Sequence, residues 1–232
     1  MEKKLIITID GPAGAGKSTV SKILAKKFNY IYLDTGALYR ALAYKALKTG
    51  ISIDDPASLE NLCASTEVYL RNVHGQMKVY VDGEDVEKKI RTEVVGLTAS
   101  KISTFPIVRE KLLDLQREAG VRGGIVAEGR DMGSVVFPKA DYKFYLDASL
   151  DERTKRRHKE LHQKKDAAGY ESIKKDMQAR DKQDSQRKIA PLKAPEGAII
   201  IDSDNLSIEG VVEKIISNVS IKIIKSALEE AS

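Results

Sequence analysis

The chain has little of several features that would define its class at once. Its 232 residues include a single cysteine, Cys63, which excludes an intramolecular disulfide and suits a reducing compartment. Leu59 and Leu62 give Cys63 an apolar helical setting, so we expect it in the core. No apolar run is long enough to cross a membrane, and the first residues show no signal-peptide pattern. We therefore predict a cytoplasmic protein without a membrane partner.

Two motifs are also missing. The N-K-x-D sequence that reads guanine occurs nowhere, which argues against a GTPase switch, and 232 residues leave little room for a motor's second domain. His158 and His162 stand four residues apart, a spacing that can bind metal. However, H-K-E-L-H is not the H-E-x-x-H order, and no third ligand is evident. The sequence therefore does not favour a structural zinc site.

The positive charge is concentrated in one segment. Residues 151–188 contain 13 Lys or Arg and 8 Asp or Glu, which accounts for the whole net charge of +5. A solvated helix would explain the lysines, and a basic stripe can also bind nucleic acid. Tyr170 is the one Phe, Tyr or Trp in this stretch, so we expect no nucleic-acid partner. An arginine-rich flap that closes over polyphosphate is the better interpretation.

The most specific motif is Gly11–Ser18, which fits the phosphate-binding pattern G-x-x-x-x-G-K-[ST]. A short apolar run precedes it and apolar residues at helical spacing follow it, so the motif joins a strand to a helix. Glycines let the backbone N–H groups point at phosphate oxygens beside the helix N-terminus. Lys17 would reach the β- and γ-phosphates of ATP, and Ser18 would bind Mg²⁺. The predicted ATP-binding residues are Gly11, Gly14, Ala15, Gly16, Lys17, Ser18 and Thr19.

Alternating apolar and helical patterns predict an α/β fold, a parallel sheet flanked by helices. The predicted strands are 5–10, 31–34, 124–128, 142–147 and 198–202. The predicted helices are 17–28, 37–48, 106–119, 151–164, 171–187 and 207–229. Residues 62–104 break the pattern, because period-two alternation flanks a turn at His74-Gly75-Gln76 and a second turn signal follows at Asp82-Gly83. We predict a small antiparallel insert there.

Two more predicted strands end in polar sequences at the sheet edge that carries the phosphate loop. The second strand ends in D-T-G-A-L-Y-R, residues 34–40, and the third in E-G-R-D-M-G, residues 128–133. Ligands of open α/β sheets bind beyond the carboxyl ends of the strands. We therefore place Thr35, Arg40, Arg130 and Asp131 near the nucleotide. A surface position for Arg40 and a local Arg130–Asp131 ion pair are the alternatives.

In order and spacing these segments resemble the bacterial cytidylate kinases, a branch of the nucleoside monophosphate (NMP) kinases. Residues 105–109, 144–149, 180–187 and 190–192 extend the resemblance, while Thr35 and Glu128 stand where some relatives carry Ser and Asp. The resemblance implies a five-stranded parallel core with a helical lid. The implied domains are a core at 1–36, 105–150 and 189–232, an NMP-binding domain with the antiparallel insert at 37–104, and a lid with its adjoining helix at 151–188.

The resemblance also implies the reaction, a transfer of the γ-phosphoryl group of ATP to CMP or dCMP with Mg²⁺, by a monomer. The implied catalytic residues are Lys17, Arg153, Arg156 and Arg157. The implied CMP-binding residues are Thr35, Arg40, Ser100, Arg109, Arg130, Asp131, Arg180, Asp184 and Arg187. A carboxylate at Asp131 would accept from the cytosine amino group and repel the uracil oxygen. Another P-loop kinase, with UMP, AMP or a sugar-like acid as acceptor, and a nucleic-acid-stimulated ATPase are the alternatives.

Overall fold

The computed structural model describes residues 4–163 and 169–230, with side chains up to Val219. Within these residues, eight strands form one mixed sheet. The strands are β1 Ile6–Asp10, β2 Ile31–Asp34, β3 Val68–Val73, β4 Gln76–Val81, β5 Glu84–Asp85, β6 Ile125–Gly129, β7 Tyr142–Asp147 and β8 Ile199–Asp202. The helices are α1 Lys17–Phe28, α2 Thr35–Thr49, α3 Pro56–Ser65, α4 Glu93–Ile102, α5 Pro106–Gly120, α6 Leu150–Gln163, α7 Tyr170–Gln186 and α8 Ile208–Glu230. A π-helical turn, Met132–Val136, follows β6.

The five predicted parallel strands are adjacent in the sheet in the order β2-β6-β1-β7-β8, with β8 at one edge. Glu128 of β6 lies opposite Asp34 of β2 and Ile9 of β1, so the carboxyl ends of these strands meet at one edge. The predicted α/β fold is confirmed, and the predicted elements begin and end within one or two residues of the observed ones. Helix α2 begins at Thr35, two residues before its predicted start, because the Asp34 side chain caps it by accepting a hydrogen bond from the Ala37 N–H.

The antiparallel insert extends the same sheet. Strands β3 and β4 pair around His74-Gly75, whose φ angles of +51° and +80° suit the tight primed turn of a hairpin. Strand β4 then runs beside β2 in parallel through the Tyr32–Gln76 pair. The Tyr32 N–H donates to the Gly75 carbonyl at 2.9 Å. The predicted insert is therefore continuous with the core sheet.

The predicted antiparallel range 62–104 is too wide, because its strands span residues 68–85 and residues 93–102 are helical. Of the two short helices α3 and α4, only the helical pattern at Leu59, Leu62 and Cys63 of α3 was recognised in the sequence. Each has ten residues, which gives only a brief periodic pattern, and each begins at a capping side chain, Asp55 or Thr92. Cys63 is buried in α3, as expected. In the part of the chain that the structure describes, no helix combines the length and apolarity needed to cross a membrane. Residues 164–168 of the predicted lid lie outside the described residues.

Candidate active site

The phosphate loop crosses from β1 to α1 with its glycines in the left-handed region. The φ angles are +147° at Gly11, +78° at Gly14 and +92° at Gly16. A Cβ on Gly11 would lie 2.0 Å from the carbonyl oxygen of Leu146, so the loop passes directly against β7. This close approach requires glycine and places the loop at the N-terminus of α1, a position suited to an anion.

Lys17 lies inside the loop and is only 6% exposed. Its Nζ donates to the Pro12 carbonyl at 2.6 Å. Burial, aided by Arg130, lowers the pKa of Lys17 to about 7, although Glu128 opposes this shift. An anion in the loop would favour the protonated form, because it would supply the negative charge that the buried ammonium group lacks.

Buried carboxylates lie beneath the loop at the same sheet edge. Burial raises the pKa of Asp10 to about 6, and burial together with Asp34 raises the pKa of Glu128. The Tyr32 hydroxyl donates to Glu128 Oε1, and the Thr35 hydroxyl donates to the Glu128 carbonyl at 2.7 Å. Thr35 is thereby fixed at the position where β2 passes into α2.

Asp34 binds two guanidinium groups with one oxygen. Its Oδ2 accepts from Arg40 Nη2 at 2.7 Å and from Arg91 Nη1 at 2.9 Å. Burial tends to raise the pKa of Asp34, but Arg40 and Arg91 outweigh it and hold the pKa below its usual value. Arg40 is therefore no solvated surface residue, since its side chain is 17% exposed. Arg91 was not predicted, and its (i, i+4) spacing from Glu87 was the available local signal.

The arginine and aspartate that are adjacent at the end of β6 do not pair with each other. Arg130 Nε donates to Asp184 Oδ2 of α7 at 2.8 Å. Asp131 instead accepts from Arg109 of α5, and Arg187 Nη2 lies 3.9 Å from its Oδ1. The alternative of a local ion pair is therefore wrong. Ion pairs of alternating charge thus link Arg109, Asp131, Arg187, Asp184 and Arg130. Together with Arg40 and Arg180, which line the same cavity, these residues form the arginine cluster.

Three arginines of this cluster hold buried donors that have no hydrogen-bond partner among the described residues. These donors are Arg40 Nε, Arg180 Nε and Arg187 Nη2. A buried donor without a partner costs about 1–3 kcal/mol. Burial and the repulsion of Arg130 lower the pKa of Arg180 to about 10, so a further anion would also relieve excess positive charge. The cluster thus has the donors and the charge to bind an added phosphate group.

One cavity of about 1080 Å³ joins the phosphate loop to this cluster. It is lined by all the predicted site residues except Gly11 and Arg153. The predicted residues that line it are Gly14, Ala15, Gly16, Lys17, Ser18, Thr19, Thr35, Arg40, Ser100, Arg109, Arg130, Asp131, Arg156, Arg157, Arg180, Asp184 and Arg187. The structure therefore brings the two predicted nucleotide sites together in one space.

Arg153 lies behind the phosphate loop, outside the cavity. Its Nη1 donates to the Ala13 carbonyl at 3.1 Å and its Nε to the Ala148 carbonyl at 2.9 Å. The same guanidinium group pairs with Asp181 at 2.6 Å. In this conformation Arg153 supports the loop from behind.

The other two arginines of the predicted lid line the cavity and are bound to protein groups. Arg156 donates to the Ser203 carbonyl at 2.7 Å and to the Ser203 hydroxyl at 3.0 Å. Arg157 pairs with Glu160 of its own helix and with Glu93 of α4. Both can exchange these partners for phosphate oxygens, because each guanidinium group keeps its charge and lies beside the cavity.

The oxygen ligands near the loop fit a magnesium ion that is bound mainly by phosphate. Ser18 is the second residue of α1 and lines the cavity. Among the described residues, no group of three or more His, Cys, Asp or Glu could hold a metal ion by itself. Mg²⁺ in kinases takes few protein ligands and keeps several waters, so one hydroxyl beside the phosphate cradle suits it.

The fold and the cavity define an ATP-dependent P-loop kinase. The sequence profile described as cytidylate kinase matches residues 7–221, and this chain belongs to that family. A cytidylate kinase of Citrifermentans bemidjiense is 46% identical over 218 residues, which is 94% of each chain. A cytidylate kinase of Bacillus licheniformis is 45% identical over 223 residues, covering 96% of this chain and 99% of the relative.

Among solved structures, a gluconokinase from Sinorhizobium meliloti has a similar fold. The TM-score is 0.50 at 12% sequence identity, and the alignment covers 99% of each chain. At this identity the likeness concerns the fold alone. It agrees with the parallel sheet and flanking helices described above.

Proposed function

We propose that this protein transfers the γ-phosphoryl group of ATP to CMP, or to dCMP, and releases ADP and the nucleoside diphosphate. The observation that carries the proposal is the set of unpartnered donors on Arg40, Arg180 and Arg187, which share one cavity with the phosphate loop. Two anion sites in one cavity suit a donor and an acceptor that both carry phosphate. Membership of the cytidylate kinase family supports CMP over UMP or AMP as the acceptor.

The donor site would be the phosphate loop. Backbone N–H groups at the start of α1 would bind the phosphates, and Lys17 would neutralise charge between the β- and γ-phosphates. Ser18 would hold the Mg²⁺ ion, which would supply positive charge to offset that of the phosphates. Arg156 and Arg157 would leave Ser203 and Glu93 to contact the transferring group.

The acceptor site would be the arginine cluster. Arg40, Arg130 and Arg187 would bind the CMP phosphate, while Arg180 and Asp184 would contact the ribose. Asp131 would accept a hydrogen bond from the cytosine amino group. Arg109 and Ser100 would lie beside the base.

Chemistry in this cavity would need positioning and charge stabilisation. The phosphate oxygen of CMP is already an anionic nucleophile, so no catalytic base is required. Holding it in line with the γ-phosphoryl group removes much of the entropic barrier. Lys17, Arg156 and Arg157 would stabilise the charge that develops during transfer. Arg153, from its place behind the loop, would act as a positioning residue.

The test is a coupled ADP-release assay with ATP–Mg²⁺ and CMP, dCMP, UMP or AMP in turn. We expect CMP or dCMP to exceed AMP in kcat/KM by at least about 10²-fold, because a site built to hydrogen-bond one base leaves polar groups unpaired with another. A preference for AMP or UMP would contradict the proposal. ATP hydrolysis that depends on added RNA or DNA, and not on a nucleotide acceptor, would do so as well.

A further inference from the structure

Asp10, the last residue of β1, has no role in the reaction described above. Its side chain is completely buried. Its two carboxylate oxygens accept from two consecutive backbone amides, Met132 N–H at 2.8 Å and Gly133 N–H at 2.8 Å. More than a hundred residues of sequence separate Asp10 from these two amides.

These amides begin the π-helical turn that follows β6. The residue immediately before the turn is Asp131, and Arg130 precedes it. The turn lies close against the sheet, because a Cβ on Gly133 would come within 3.0 Å of Thr8 Oγ1. Asp10 therefore fixes the backbone next to Arg130 and Asp131, the two residues between β6 and the turn that belong to the proposed acceptor site.

The other neighbour of Asp10 is the donor site. Gly11, the first residue of the phosphate loop, follows it directly, and β1 and β6 pair with Asp10 opposite Gly129. One carboxylate therefore links the strand that carries the phosphate loop to the turn beyond Asp131. A core-filling residue would not need two charged hydrogen bonds to adjacent amides, since apolar side chains fill such positions without desolvating a charge.

We propose that Asp10 is a positioning residue for CMP recognition, which it serves by holding Arg130 and Asp131 in place relative to the phosphate loop. This inference rests on the proposed function. The carboxylate does not contact the nucleotide and acts through the turn. The positioning should therefore appear in the binding and selection of the acceptor and leave the affinity for ATP nearly unchanged.

The test compares Asp10→Asn with Asp141→Asn. The asparagine at position 10 keeps the shape, but its NH₂ group must face one of the two amide donors. Asp141 is the matched control, because its Oδ2 accepts from the Ile6 N–H at 2.9 Å at the opposite end of the same strand. We expect Asp10→Asn to raise the KM for CMP roughly tenfold and to lower the CMP:UMP ratio of kcat/KM, with the KM for ATP within about twofold of wild type. Asp141→Asn should leave all three values unchanged.

An unchanged KM for CMP, or equal losses with CMP and UMP, would overturn the proposal. If Asp10→Asn does not fold, Asp10→Ser keeps one acceptor and takes its place in the same comparison. The readouts separate this inference from the proposed function. A wild-type protein that does not phosphorylate CMP would overturn both, whereas an active wild type with an unaffected Asp10→Asn variant would overturn this inference alone.

Discussion

Glu93 of α4 and Arg157 of α6, which both line the cavity, form an ion pair. A second contact joins the same two sides, because Gln183 of α7 donates to the Ser100 hydroxyl of α4 at 3.0 Å. The segment predicted to bind the acceptor and the predicted lid therefore contact each other. They do so through Arg157 and Ser100, which are both predicted site residues.

Glu93→Gln should loosen the lid of the free protein. An exposed ion pair contributes about 0–1 kcal/mol to stability. Its loss should therefore raise the rate of amide hydrogen exchange across residues 150–163 by up to about fivefold. With ATP and CMP analogues bound, phosphate would replace Glu93 as the partner of Arg157, and the exchange rates of variant and wild type should agree. Glu60→Gln on α3 is the control. Unchanged exchange in α6 of the free variant would show that the ion pair does not hold the lid.

Lys17→Ala should lower kcat by about 10²–10³-fold with the fold intact, because it removes a preorganised charge from a buried site. The measurements are ADP release for activity and circular dichroism for folding. Lys26→Ala, on the exposed side of α1, should retain wild-type activity. A folded Lys17→Ala protein with more than about a third of wild-type kcat would contradict the assignment of the loop.

Arg153 and Arg156 should respond differently to substitution by methionine. Arg153→Met leaves the Ala13 and Ala148 carbonyls and Asp181 without their donor, and should lower the free energy of unfolding by about 3 kcal/mol. Arg156 is partly exposed, so Arg156→Met should change stability by less than about 1 kcal/mol but lower kcat by about 10²-fold. Urea unfolding and ADP release measure the two effects. A stable but slow Arg153→Met protein would assign Arg153 to the chemistry.

Asp131→Asn should lower kcat/KM for CMP. It should also lower the ratio of kcat/KM for CMP to kcat/KM for UMP by at least about tenfold. The asparagine amide can offer either its oxygen or its N–H, so it no longer excludes the uracil oxygen. The measurement is kcat/KM for both nucleotides in the variant and the wild type. Asp114→Asn, exposed on α5, controls for loss of a negative charge. An unchanged ratio would show that Asp131 does not read the base.

Stability should depend on pH through Asp10. Its pKa is raised from 3.8 to about 6 in the folded protein, so the native state binds more protons between these pH values. The stabilising contribution of this group is fully present below pH ~4 and is lost as the pH rises through about 6. Relative to Asp10→Asn, the wild type should gain about 1 kcal/mol in free energy of unfolding between pH 7 and pH 5. Urea titrations at both pH values measure this difference, and a constant difference would contradict the raised pKa.

The sequence predicted those parts of the site that depend on local pattern. Gly11–Ser18 carries its own strand, loop and helix signals, and Thr35 and Arg130 follow apolar runs whose parallel arrangement brings their ends together. Arg91 was missed because its partner, Asp34, lies 57 residues away and is brought near by folding alone. The partners of Arg153 could not be predicted either, because helical spacing does not tell which arginine points behind the loop. The domain bounds, the monomeric state and the cytoplasmic location stay predictions.

The junction between the hairpin and the parallel sheet has a mechanical consequence. The backbone bond from Tyr32 to Gly75 clamps the hairpin at its turn, and the Tyr32 hydroxyl binds Glu128 on the neighbouring strand. A displacement of the hairpin would therefore act on β2, the strand that leads directly to Thr35 and Arg40 of the proposed acceptor site.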